Sequence, residues 1–165
     1  MIKEEPKMSK ALVVYFSVSG ITARLAERLA SAIGADLHEI QPAQKYTAED
    51  LDWTNKKSRS SVEMNDKSFR PAIADKVENM DQYDMIYLGF PIWWYVAPTI
   101  INTFLEAYNL EGKKIIPFAT SGSSGMGRTN VELEDSCKGA DLMDGKRFHA
   151  DAGIDELKAW AEHFK

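Results

Sequence analysis

The chain has 165 residues and a formal net charge of -5 at pH 7, with 44% of its residues hydrophobic and 27% charged. A chain of that length forms one domain able to bury roughly two thirds of its unfolded surface, and the composition excludes the disordered and collagen-like classes. The acidic balance argues against nucleic acid, whose phosphates need a basic face, and suits a partner with a basic docking patch.

Cys137 is the single cysteine, so no intrachain disulfide forms and a reducing, cytoplasmic setting is expected. Residues 1–9 place charges and a proline ahead of a short apolar run. That run is too short for a signal peptide or a membrane span. Residues 1–9 read as a disordered N-terminal extension and residues 10–165 as the domain, with no membrane attachment.

The run ALVVYF at 11–16 is β-branched and aromatic and ends at a Ser/Gly cluster, which predicts a strand buried on both faces. Ile21, Leu25, Leu29 and Ile33 then recur at helical spacing, and Gly34 stops the helix. A second strand is expected at 36–40. The polar stretch 41–65 shows no sustained period and is long for a connection, which assigns it a task of its own.

Pro71 is placed to open a helix with Ile73, Val77 and Met80 as its apolar stripe. DMIYLGF at 84–90 is a third strand, and Pro98 opens a helix carrying Ile101 and Leu105. Residues 113–120 give the fourth strand, with Pro117 tolerable at a strand end or bulge. A helix over 126–137, a short strand at 140–143 or 147–148, and a terminal amphipathic helix over 154–164 complete the chain.

Strand and helix alternate throughout, so the expected architecture is an α/β sandwich of three layers, a parallel sheet between helices joined by right-handed crossovers. Ligands of such sheets lie outside the carboxyl ends of the strands, where the strand order reverses. The loops after strands one, three and four are therefore the candidate site.

The first loop is Ser17, Val18, Ser19, Gly20, Ile21 and Thr22, hydroxyls and a glycine leading straight into a helix. Unpartnered first-turn amides and the helix dipole make such a place a phosphate cradle, each charge-assisted bond being worth about 1.5 to 3 kcal/mol. No lysine follows the glycine and the spacing is not GxGxxG, so triphosphate chemistry is not expected. Alone, the same residues also read as an ordinary serine N-cap with a turn glycine.

The second loop carries Pro91, Ile92, Trp93, Trp94 and Tyr95, three adjacent aromatics with Pro98 beyond them. Large flat faces in a loop stiffened by proline suit a planar ring system, although at least one of the two tryptophans is expected to pack in the core. The third loop holds Thr120, Ser121, Gly122, Ser123, Ser124 and Gly125, small residues that let backbone amides approach a ring edge. By itself it reads as a flexible Gly/Ser loop. Three such loops at three strand ends point together to a mononucleotide with a planar head.

These residues resemble the flavodoxin-like family: YFSVSGIT is similar to its phosphate loop, and GFPIWWYVAP and TSGSSGMG to its two ring-binding loops. Tyr46, Thr47, Asp50, Trp53, Ser58, Arg59, Glu63, Arg70 and Pro71 further resemble a short branch of that family. The resemblance implies a doubly wound parallel five-stranded sheet of order 2-1-3-4-5 and FMN as cofactor. It implies Ser17 to Thr22 around the phosphate, and Pro91 to Tyr95 with Thr120 to Gly125 around the ring. Ile21 departs from the asparagine the family often carries, and the third loop lacks the aromatic and acidic cover typical of electron carriers.

The function expected is electron transfer through bound FMN, with a redox partner protein, as a monomer or weak homodimer. The alternatives are an NAD(P)H-dependent FMN quinone reductase and a cofactor-free binding module of the same fold. A receiver domain is excluded because strand one ends in serines instead of an acidic cluster. No side chain is assigned as catalytic. His38, His149 and His163 are scattered, so no metal is expected. Cys137 and Trp160 are assigned to packing, and Trp53 is a candidate roof over the cofactor.

Overall fold

Runs of Val, Ile, Leu and aromatic residues form strands here because both faces of the sheet are covered, so every position can be apolar. A computed structural model describes residues 10–52, 54–93, 96–120 and 125–164. β1 (Ala11–Tyr15), β3 (Met85–Pro91) and β4 (Lys114–Thr120) are buried along nearly their whole length. β2 (Asp36–Glu39) is the half-exposed edge. The far edge comes in two pieces, β5 (Asp141–Leu142) and β6 (Lys146–Phe148), both pairing with β4. All pairings are parallel, and the order is β2-β1-β3-β4-β5, the flavodoxin-like order 2-1-3-4-5 expected above.

The sheet divides two apolar layers. Leu12, Val14 and Phe16 face one side, against α3 (Thr99–Glu106) and Leu133 of α4 (Thr129–Leu133). Val13 and Tyr15 face the other, against α1 (Ile21–Ile33) and α5 (Ile154–Glu162), which pack on each other. Trp160 of α5 meets Tyr87, Phe118, Phe148 and Phe164 edge to face, the packing role expected of it. Gly89 is required where β3 passes β4: a Cβ there would lie 2.3 Å from the Phe118 ring.

Pro117 falls in the middle of β4, not at its end. Lys113 and Ile115 carbonyls accept from Asp141 and Met143, so odd-numbered residues of β4 face the β5/β6 edge. The missing N–H of Pro117 therefore points at the gap between the two pieces, and no ladder bond is lost.

Two expectations need correction. The helix expected from Pro71 does not form; only a single 3₁₀ turn, Met80–Gln82, appears there. Ala43 N–H donates to Ala72 O and Ala74 N–H to Gln41 O, and these bonds hold the backbone extended. Val77 and Met80 are nonetheless buried and Ile73 is partly buried against the same core, so the apolar spacing marked burial without marking helix. The helix expected over 126–137 is confined to α4 and a following 3₁₀ turn, Glu134–Cys137. The long connection 41–65 holds a 3₁₀ turn, Glu49–Leu51, and α2 (Arg59–Asn65), capped where the Ser58 side chain accepts from Ser61 N–H.

Candidate cofactor site

The β1 loop turns into α1 at Gly20, whose φ of 88° is left-handed and disfavours any side chain. Gly20 N–H donates to Ser17 Oγ at 3.2 Å, and Ile21 N–H reaches Ser19 Oγ at 3.5 Å. Both serines accept through oxygen, so their own O–H groups remain free to donate outward. The amides of Thr22 and Ala23 follow in the first turn, where an α-helix offers no internal acceptor. Val18 turns inward onto the core, while Ser19 and Ile21 are exposed.

Thr22 is buried, and its Oγ1 lies 2.8 Å from Oγ1 of Thr120 at the end of β4. The Thr120 carbonyl accepts from Ile92 N–H at 3.1 Å, and Pro91 pairs with Thr120 in register. One seam thus ties the β1, β3 and β4 loops together at the carboxyl edge of the sheet. Only one hydroxyl of the pair can donate to the other, so one O–H is left over for an acceptor outside it.

In the β3 loop Trp93 and Val96 exchange both backbone hydrogen bonds, at 2.9 and 3.1 Å. The Trp93 ring is half-buried and meets Phe16 at 5.9 Å and Tyr46 at 5.6 Å, both edge to face; Phe16 and Tyr46 are 5.6 Å apart. Tyr46 is held in turn by α2. The Arg59 guanidinium lies 3.7 Å over its ring, the Glu63 carboxylate accepts from its hydroxyl, and Arg59 Nε donates to Glu63 Oε2 at 2.7 Å. Burial first, and the bond to Glu63 second, raise the Tyr46 phenol far above its ordinary value, so it stays a neutral donor.

Of the residues expected around a ligand, Ser17, Gly20, Thr22, Pro91, Ile92, Trp93 and Thr120 gather at one edge, with Gly125 exposed beyond β4. Trp94, Tyr95, Ser121, Gly122 and Ser123 lie outside the described residues, as does Trp53.

Two features escaped the sequence reading. Arg24 Nη2 lies 3.8 Å from where a Gly20 Cβ would stand, a cation beside the β1–α1 turn. Its i,i+4 spacing from Gly20 was the available signal. In the sequence Tyr46, Arg59 and Glu63 carry only the family resemblance. Their role as the wall behind Trp93 needs the tertiary contact. Among the described residues no group of three or more His, Cys, Asp or Glu could hold a metal ion. None of the described helices is long and apolar enough to cross a membrane.

A family model described as Flavodoxin matches residues 10–164. The chain belongs to the flavodoxin family. Among solved structures, this flavodoxin-family chain is similar to a protein of Bacteroides eggerthii assigned provisionally as a flavoprotein, at 49% identity and a TM-score of 0.89, covering 94% of this chain and 98% of that one. A Bacteroides uniformis protein with the same provisional assignment matches at 49% identity and 0.88, covering 93% and 98%. A Lactobacillus acidophilus flavoprotein solved in complex with FMN shares the fold at 24% identity and 0.69, covering 93% and 99%. No curated protein matches.

Proposed function

We propose that this protein binds FMN at the carboxyl edge of its sheet and acts in electron transfer. The observation that carries the reading is the Thr22–Thr120–Ile92 seam, which gathers three ligand-type loops beside a left-handed glycine at a helix N-terminus. The donor set fits a phosphate: first-turn amides, free serine and threonine hydroxyls, and Arg24 nearby. Family membership, and FMN in the Lactobacillus acidophilus relative, support the same cofactor.

Bound there, FMN would supply one- and two-electron redox chemistry. The chain's own residues bind and orient. Ser17 and Ser19 hold the turn and present hydroxyls to the phosphate. The Thr22 and Thr120 hydroxyls keep the β1 and β4 loops at fixed separation, and Trp93 is braced by Phe16 and Tyr46 to present an unyielding edge to the ring. Cys137 is kept out of thiol chemistry: burial, then Glu134, raises its pKa, and its Sγ bonds the Leu133 carbonyl at 3.3 Å. An unpaired buried thiol suits the cytoplasm, where this protein would meet a redox partner.

Fluorescence titration of the cofactor-free chain tests the reading. FMN is expected to bind at micromolar concentrations or below, with riboflavin, which lacks the phosphate, at least about tenfold weaker. Equal affinity for the two would remove the phosphate turn from the account. Rapid NADPH oxidation with a quinone as acceptor would replace electron carriage with the reductase activity.

A further inference from the structure

Arg59 and Glu63 stand one helical turn apart on α2, and between them they hold Tyr46 at three points. The Glu63 carboxylate, 2% exposed, accepts from the Tyr46 hydroxyl with one oxygen and from Arg59 Nε, at 2.7 Å, with the other. The Arg59 guanidinium lies 3.7 Å from the Tyr46 ring centre. Its Nη1 donates to the carbonyls of Gln44 and Lys45, the two residues before the tyrosine, at 2.7 and 3.4 Å. Ring, hydroxyl and adjoining backbone of one tyrosine are thus fixed by a single ion pair from the connection 41–65.

Stability alone does not account for that pair. Burying two charges costs about as much as their attraction returns, and well-packed apolar residues of the same volume commonly serve a core as well or better. What a buried and fully bonded pair adds is one geometry in place of several. The geometry fixed here belongs to Trp93. Backbone bonds with Val96 hold the base of the β3 loop but leave the indole free to turn. Among the described residues two rings stop it, Phe16 and Tyr46, each edge to face. Phe16 is fully buried just past the end of β1, whereas Tyr46 takes its position from α2.

We propose that Arg59 and Glu63 are positioning residues for the flavin ring, acting through Tyr46 on the Trp93 indole, and that they set ring affinity without touching the phosphate. The inference rests on FMN binding at this edge, and it gives a task to a connection that lies outside the three loops. A side chain already held in its bound orientation has no freedom left to lose when the ligand arrives. For one indole that is worth about two- to tenfold in affinity.

Riboflavin and FMN are titrated by fluorescence into the cofactor-free full chain and its variants, with urea unfolding alongside. Tyr46→Phe keeps the ring and removes the hydroxyl. Adding Arg59→Met and Glu63→Leu replaces the whole network by apolar side chains of similar volume. Both variants are expected to weaken the two flavins by the same factor, about two- to tenfold, so that the ratio of their affinities stays that of the parent. The triple variant should do so with an unfolding midpoint unchanged or raised. Tyr83→Phe removes another tyrosine–carboxylate bond, to Asp36 at 2.7 Å at the opposite end of the sheet, and should leave both affinities unchanged. Should the triple variant fail to fold, Tyr46→Phe against Tyr83→Phe decides alone. Parent-like affinities in the Tyr46 variants overturn the inference. So does an equal loss in Tyr83→Phe, which traces the effect to stability, or a loss for FMN alone, which moves it to the phosphate. A parent chain that takes up neither flavin removes the cofactor reading itself, and this inference with it.

Discussion

Thr22, at the head of α1, and Thr120, at the end of β4, are joined hydroxyl to hydroxyl at 2.8 Å although they lie 98 positions apart and β3 runs between β1 and β4. Removing one partner leaves the other buried and unsatisfied, which costs about 1 to 3 kcal/mol. Thr22→Val and Thr120→Val should each destabilise the cofactor-free chain by that amount in urea unfolding. The double variant should cost less than the sum, because no orphan hydroxyl remains. Strict additivity would show that the two side chains do not interact. FMN affinity should fall most in the double variant, which loses the spare O–H together with the pair.

Gly20 holds a φ of 88° at the head of α1. An Ala there has open space, its nearest neighbour being Arg24 Nη2 at 3.8 Å, so the cost is backbone strain of about 1 to 2 kcal/mol, not a clash. If the turn relaxes toward right-handed geometry, its amides turn away from the phosphate. Gly20→Ala is therefore expected to lower FMN affinity by about tenfold or more while riboflavin binding changes little. Parallel titrations of the two ligands check it.

How much of this was legible follows from what each signal encodes. β1, β3 and β4 were readable because a strand covered on both faces must be a continuous apolar run, which no surface element imitates at that length. The turn from β1 into α1 was readable because hydroxyls, glycine and helix start are all local. Residues 71–80 misled because Ile73, Val77 and Met80 record which side chains are buried, while the extended backbone is set by Gln41 and Ala43, some thirty residues earlier. β5, two residues long, is too short to carry a period. The Thr22–Thr120 seam and the Tyr46 wall are contacts between distant segments, and nothing local announces them.

Tyr46 should control part of the alkaline stability. Burial and the Glu63 bond raise its folded value above the ordinary 10.0, so the folded chain keeps a proton that the unfolded chain loses. That contribution is fully present below pH 10 and is lost as pH rises from there toward the folded value. Tyr46→Phe should flatten the fall in unfolding midpoint above about pH 10. The decline will not vanish, because Tyr83 and Tyr87 are also raised, each to about 12. An unchanged alkaline limb would sever Tyr46 from the Glu63 carboxylate.

Glu106 governs the opposite limb. Arg70 grips it with Nε at 2.9 Å and Nη2 at 3.0 Å, and Ser136 Oγ donates to it at 2.7 Å, tying the segment before β3 to α3 and to the turn after α4. The Arg70 bonds first, with Ser136 adding, hold the Glu106 carboxyl below its ordinary 4.5. A lowered folded value means the unfolded chain binds the proton first as pH falls. The contribution is therefore present above pH 4.5 and lost as pH drops through the folded value. With the Arg70 and Glu106 side chains 33% and 42% exposed, water screens the pair, and Glu106→Gln should cost less than about 1 kcal/mol at neutral pH. The deficit should close once both states are protonated, so the variant's midpoint should converge on the parent's in acid. A gap that stays constant from pH 7 into the acid range would assign the loss to packing instead of charge.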